Sequence, residues 1–135
     1  MADYKILPHI ADVKIQAFGK TKKELFSNAL KGMIAVLRPE IQETDKRQRK
    51  IGVASADLNS LLADFLSETL YLIQTNKEVY DEVKFANFSD TKLEGELSGK
   101  SVARFGEDIK GVTYHDLKVK KNEDGIWEAT VLFDI

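Results

Sequence analysis

Between residues 58 and 73 the chain repeats its core-facing positions at intervals of three and four: Leu58, Leu61, Leu62, Phe65, Leu66, Thr69, Leu70 and Ile73. Only an α-helix lying against a core gathers such positions on one stripe. Ser55 or Asp57 is placed to cap it. A second run of the same kind starts at the capping box of Thr21 and Glu24, continues through Leu25, Phe26, Ala29, Leu30, Met33, Ile34 and Leu37, and stops at Pro39. Two long amphipathic helices therefore need something apolar to cover, and the segments around them supply it.

Those segments have the period of two expected of strands. Residues 13–17 alternate apolar and polar side chains before Gly19. In 48–54, Arg49, Ile51 and Val53 share one face and Lys50 and Gly52 the other. Residues 79–88 and 93–97 are β-like, with Gly95 expected at a bulge or an exposed edge. Residues 99–108 read as a polar loop. Residues 112–120 and 126–133 alternate on either side of Asn122-Glu123-Asp124-Gly125 and predict a hairpin. Strands and helices do not follow one another in regular βαβ order. The fold class is therefore α+β: a two-layer domain with a mostly antiparallel or mixed sheet of about six strands and two long helices.

Length and composition fit that reading. The chain has 135 residues, 43% of them hydrophobic, enough for one core and one domain over 1–135. There is no cysteine, which excludes disulfides and thiolate metal sites and suits a cytoplasmic setting. No apolar run approaches a membrane span, and no secretory leader is apparent. Twenty basic against twenty-two acidic residues, a net charge of −2, argue against coating nucleic acid by charge alone. Gly-rich phosphate loops, nucleophile elbows and paired helical histidines are absent, so a self-contained nucleotide hydrolase is not expected.

Four places carry chemistry. His9-Ile10-Ala11-Asp12 puts two functional groups at the entry to the first predicted strand, and Phe133-Asp134-Ile135 puts another carboxylate at the end of the last. Taken singly, Asp12 has the ordinary role of a turn cap, His9 that of a wall residue, and the terminus that of a solvated end. If the first and last of these strands pair, Asp12 and Asp134 converge, and two carboxylates with nearby carbonyls suit a hard divalent cation. Lys110 opens the strand that runs back beside Asp134, with His115 five residues on. Lys46-Arg47-Gln48-Arg49-Lys50 places four cations in five positions, either a phosphate-facing patch or a solvated strand edge. Tyr71, Tyr80 and Trp127 are expected as packing residues that also qualify for an interface.

HIADVKI at 9–15, DFLSETLYL at 64–72, KGVTYH at 110–115 and the closing Phe133-Asp134-Ile135 together resemble the archease family, in order and over nearly the whole chain. The resemblance implies an α+β activator, itself not an enzyme, of an RtcB-type RNA ligase in tRNA splicing and RNA repair. It implies that the activator promotes guanylylation of the ligase and multiple turnover, and that it contacts RNA only indirectly. It further implies a divalent metal ion, calcium with magnesium or manganese as alternatives, held by Asp12, Asp134 and Ile135, with Lys110 and His9 facing the partner. The chain departs from the family pattern at Ile10, usually threonine, at Gly111, commonly alanine, and at Thr69 and Gln74, where the family is more acidic. Two other classes fit parts of the sequence: a chaperone-like accessory to an RNA-modifying enzyme, acting through the basic run, and a small metal-dependent hydrolase using Asp12, Asp134, Lys110 and His115.

Overall fold

The computed structural model describes residues 3–7, 12–42 and 45–135. His9 and Ile10 lie outside the described residues. In chain order the elements are β1 (Tyr4–Leu7), β2 (Asp12–Gly19), α1 (Lys22–Leu37), β3 (Pro39–Ile41), β4 (Arg47–Ala54), α2 (Leu58–Asn76), β5 (Glu78–Phe88), β6 (Lys92–Phe105), β7 (Gly111–Val112), β8 (Val119–Lys121) and β9 (Trp127–Asp134).

Both helices start as their sequences dictate. The Thr21 hydroxyl accepts from the Glu24 N–H at 3.1 Å, and the Glu24 carboxylate accepts from the Lys20 N–H. Asp57, not Ser55, caps α2 by accepting from the Ser60 N–H at 2.8 Å, which holds its carboxyl below the usual range. Each helix ends on a left-handed residue, Arg38 at φ 46° and Lys77 at φ 52°.

The α+β class and the two helices are as expected; the strands are more numerous, nine among the described residues, in two antiparallel sheets. In the first sheet β9 is central. It pairs with β2 along its whole length on one side, and with β7 and then β8 on the other; β1 extends the sheet beyond β2. In the second sheet β6 is central, with β5 on one side and β4 followed by β3 on the other. α1 packs on both sheets and α2 on β4, β5 and β7. The inward faces (Ile15, Ala17, Val131 and Phe133 from the first sheet, Ile51, Leu93 and Leu97 from the second) join the helix stripes in one buried cluster. Phe26, Phe65, Phe85 and Phe88 knit α1, α2 and β5, with ring centroids 5.0–5.8 Å apart.

Three local expectations need correction. Residues 99–108 are not all loop, because β6 runs on to Phe105. The polar stretch Ser98-Gly99-Lys100-Ser101 stays in the ladder because β5 presses on it: a Cβ on Gly99 would lie 1.7 Å from the Val79 carbonyl oxygen. Gly95 is neither edge nor bulge; it sits in central β6 opposite a bulge that belongs to β5, between Phe85 and Asn87. The strand expected over 112–120 is interrupted. β7 ends at Val112 and β8 begins at Val119, and between them the chain bends out, with Asp116 left-handed at φ 58°. The hairpin itself stands: β8 pairs with β9 across a turn in which Asn122 accepts from the Asp124 and Ile126 N–H groups.

Candidate functional site

The antiparallel register of β2 and β9 puts Asp12 directly opposite Asp134. Opposed residues in such a ladder have Cα atoms about 4.5–5.5 Å apart and send their side chains to the same face. That face is the outer one, since Val13, Ile15 and Ala17 alternate inward with Phe133, Val131 and Ala129. The two chain ends thus place two carboxylates side by side, an arrangement that is repulsive in itself.

The third strand completes the row. Gly111 of β7 faces Asp134 from the other side, and the Lys110 N–H donates to the Asp134 carbonyl at 2.7 Å. The expected neighbourhood of Lys110 and Asp134 is therefore present, with the lysine side chain exposed. A Cβ on Gly111 would meet nothing within 4 Å, so the row opens onto free space on that side. The Asp134 side chain is exposed, Asp12 half-buried, and Ile135 tucks its side chain against the core, fixing its main chain.

Segment 108–119 lies along the outer face of α2 and is tied to it at three levels. Gln74 donates to the Ile109 carbonyl at 2.7 Å, the Tyr114 hydroxyl donates to the Asp64 carboxylate, and the Asn59 amide oxygen accepts from the Val119 N–H at 2.7 Å. Ser55 also donates to Asp64. The bond to Asp64 raises the Tyr114 phenol above its ordinary range, with burial adding to it, so the phenol remains a donor. These supports were not singled out from the sequence; their trace there is the set of polar residues, Asn59, Asp64 and Gln74, on α2 outside its apolar stripe. Gln74 and Thr69, which the resemblance marked as departures from the family pattern, have structural roles here. Gln74 holds the start of β7, and the buried Thr69 hydroxyl donates to the Phe65 carbonyl at 2.7 Å.

Other candidates fall away from this site. His115 sits on the bent segment with its side chain 82% exposed and Asp116 3.1 Å away, outside the β2–β9–β7 row. The two arginines of the basic run turn to one buried acid. Glu78, 3% exposed, accepts from Arg49 Nε at 2.9 Å and Nη2 at 3.0 Å and from the Tyr80 hydroxyl at 2.8 Å, with Arg47 3.9 Å away. The Arg49 hydrogen bond holds the Glu78 carboxyl below its ordinary range, and burial pushes the Tyr80 phenol up to about 12. Tyr80 is core, Trp127 is half-buried with Lys22 and Lys121 ammonium groups 5.0 and 5.8 Å from its ring centre, and Tyr71 is 60% exposed. A concavity on the outer face of the second sheet is lined by Lys50, Lys84 and Lys92 against Glu94 and Glu96 and lies apart from the acidic row.

Residues 4–135 match the archease protein family (MTH1598/TM1083). The chain belongs to the archease family. It is 39% identical to protein archease of Methanosarcina acetivorans and 36% identical to that of Methanosarcina barkeri, in each case over 98% of this chain and 95% of the relative. Among solved structures it resembles Methanobacterium thermoautotrophicum protein 1598 at a TM-score of 0.75 and 25% identity, covering 100% of both chains. An archease of Thermotoga maritima, described as a possible chaperone, matches at a TM-score of 0.72 and 18% identity over 97% of this chain and 96% of that one, which extends the likeness of fold.

As an archease, the chain presents at the β2–β9–β7 row a donor set of hard oxygens and one nearby lysine. Among the described residues no three His, Cys, Asp or Glu side chains cluster closely enough to enclose a metal, and no helix is long and apolar enough to cross a membrane.

Proposed function

We propose that this archease is a protein cofactor that activates an RtcB-type RNA ligase in tRNA splicing and RNA repair, promoting guanylylation of the ligase and multiple turnover through the Asp12–Asp134 row. The observation that carries the reading is the register: residues 122 positions apart in the chain face each other as paired carboxylates, with the Lys110 main-chain N–H donating to the main-chain carbonyl of the second. Like charges placed opposite each other on a solvent-facing sheet weaken it. A function that needs the pair accounts for that cost.

The donor set fits a divalent cation in part. Asp12 and Asp134 carboxylates with a main-chain oxygen of Ile135 suit calcium, magnesium or manganese, but fall short of the six to eight oxygens of a closed calcium cage. The ion would therefore complete its shell with water or with atoms of the partner. When bound, it would supply positive charge at the ligase's nucleotide site. The chain's own residues do the rest: β9 fixes the spacing of the two acids, the main-chain bond from Lys110 locks β7 beside them, Gln74 holds Ile109, and the Lys110 ammonium stands free to meet a phosphate or carboxylate of the partner. None of these groups forms a nucleophile with its base, which suits an activator better than a hydrolase.

The test is single-turnover guanylylation of a purified RtcB-type ligase with and without this protein. Stimulation is expected from the wild type and its loss from Asp12→Ala with the fold intact by circular dichroism. Undiminished stimulation by Asp12→Ala sinks the assignment of the site.

A further inference from the structure

Thr113 follows β7 directly, and its N–H donates to the Leu132 carbonyl at 3.0 Å, so the ladder between β7 and β9 continues through it. Val112 is buried opposite Phe133, so Gly111 and Thr113 on either side of it turn to the outer face, the face of Asp134 and Leu132. Thr113 is therefore the diagonal neighbour of Asp134. Such neighbours have Cα atoms about 7–8 Å apart and Cβ atoms closer than that. A threonine Oγ, a carboxylate and an O–H···O bond of about 2.7 Å between them span that gap.

The hydroxyl oxygen of Thr113 is shut off from solvent and has no hydrogen-bond partner among the described residues. A polar group in that position has given up its hydration without recompense, and its presence calls for a partner. Bulk water does not reach it, so the partner is sought on its own face. Leu132, directly opposite, is apolar, and Gly111 has no side chain. The two diagonals hold Thr130 and Asp134. Asp134 is the stronger acceptor, because a hydroxyl bonds a carboxylate about twice as strongly as a neutral oxygen. The Asp134 side chain is exposed, and nothing lies within 4 Å of where a Gly111 Cβ would sit, so the carboxylate has room to turn toward β7.

We propose that Thr113 is a positioning residue of the acidic pair: its hydroxyl donates to one oxygen of Asp134 when the row is loaded with a divalent cation, leaving the other oxygen to face Asp12 and the ion. The inference rests on the reading of the preceding subsection and adds to it the group that aims one of the two acids. The bond acts in two ways. It orients an exposed carboxylate at the end of β9, and it lessens the repulsion between that carboxylate and Asp12 opposite. Support of this kind behind the ligands of a metal site governs affinity by roughly tenfold or more. The contacts that hold β7, the Lys110 N–H on the Asp134 carbonyl and Gln74 on the Ile109 carbonyl, keep the donor in register.

The experiment titrates Ca²⁺ and, separately, Mn²⁺ into the full chain by calorimetry, for wild type, Thr113→Val, Thr113→Ser and Asp134→Asn, and records the Tm of each protein without divalent ions. Thr113→Val keeps the β-branched shape of the side chain and loses the donor. Its Kd for the ion is expected to rise roughly tenfold or more, while its Tm stays level or rises because a shut-in hydroxyl is gone. Thr113→Ser keeps the donor and is expected to bind as wild type even where its Tm falls. Affinity and stability moving in opposite directions separates positioning from packing. A Kd in Thr113→Val equal to that of wild type overturns the assignment, and if Asp134→Asn has lost binding, the cation site stands without Thr113. An equal loss in Thr113→Ser and Thr113→Val overturns it as well, by reducing the effect to packing. If wild type binds neither ion, the assignment fails together with the cation part of the preceding reading, and stimulation of the ligase by wild type then decides whether the activator reading survives.

Discussion

Replacing Glu78 by glutamine tests whether the basic run was captured by the fold. In the wild type its buried carboxylate accepts three hydrogen bonds, two from Arg49 and one from Tyr80. A glutamine keeps one accepting oxygen and turns an N–H toward a donor, so one or two charge-assisted bonds, each worth about 1.5–3 kcal/mol, are lost. The Arg49 side chain is 41% exposed and recovers part of this by turning to water, whereas the Tyr80 hydroxyl is buried and does not. A net loss of about 2–3 kcal/mol at neutral pH follows. For 135 residues this corresponds to a fall in Tm of about 7–11 °C. The pH dependence carries a second signature. Because the folded-state pKa of Glu78 is depressed, its contribution is complete above the ordinary glutamate range and is lost as pH falls through the lower folded value. Thermal and urea unfolding of wild type and Glu78→Gln should therefore show a gap at pH 7 that closes on acidification. A Tm difference below about 2 °C at pH 7, or a gap that does not change with acid, refutes the reasoning.

Two glycines are predicted to behave oppositely. Gly99→Ala drives a Cβ to 1.7 Å from the Val79 carbonyl oxygen and should cost on the order of 3 kcal/mol or more in urea unfolding, whereas Gly111→Ala meets open space and should be neutral or stabilising by up to about 1 kcal/mol, with activation retained. Gln74→Ala removes the bond to the Ile109 carbonyl and should cost about 1 kcal/mol, visible as faster amide hydrogen exchange at residues 110–113 and weaker ligase stimulation; unchanged exchange there would mean that β9 alone holds this segment.

Both helices were legible because a buried stripe leaves its period in the sequence whatever lies opposite. β6 was only half legible: Gly99 has no room for a side chain because β5 crowds it, and crowding by a partner strand leaves no local signal. The break between β7 and β8 was hidden for a related reason. Residues 112–120 do alternate, but Tyr114 is drawn to Asp64, fifty positions away, and Asp116 turns left-handed. The basic run reads as a surface patch until Glu78, 29 residues beyond Arg49, is placed beneath it. For the acidic pair, the residues and their fitness for a hard cation were legible and the resemblance added a partner enzyme; their convergence follows from register between the second and last strands, which composition does not encode.

The central claim is that Asp12 and Asp134 act as one site on a partner enzyme. Its most direct test is the rate of single-turnover guanylylation of an RtcB-type ligase with wild-type protein, Asp12→Asn, Asp134→Asn and the double variant, with Mg²⁺ or Mn²⁺ varied. The account predicts that each single variant loses nearly all stimulation, that the double variant loses no more than either, and that all four remain folded. Stimulation that survives in either single variant, or losses that multiply in the double variant as for independent residues, would contradict it.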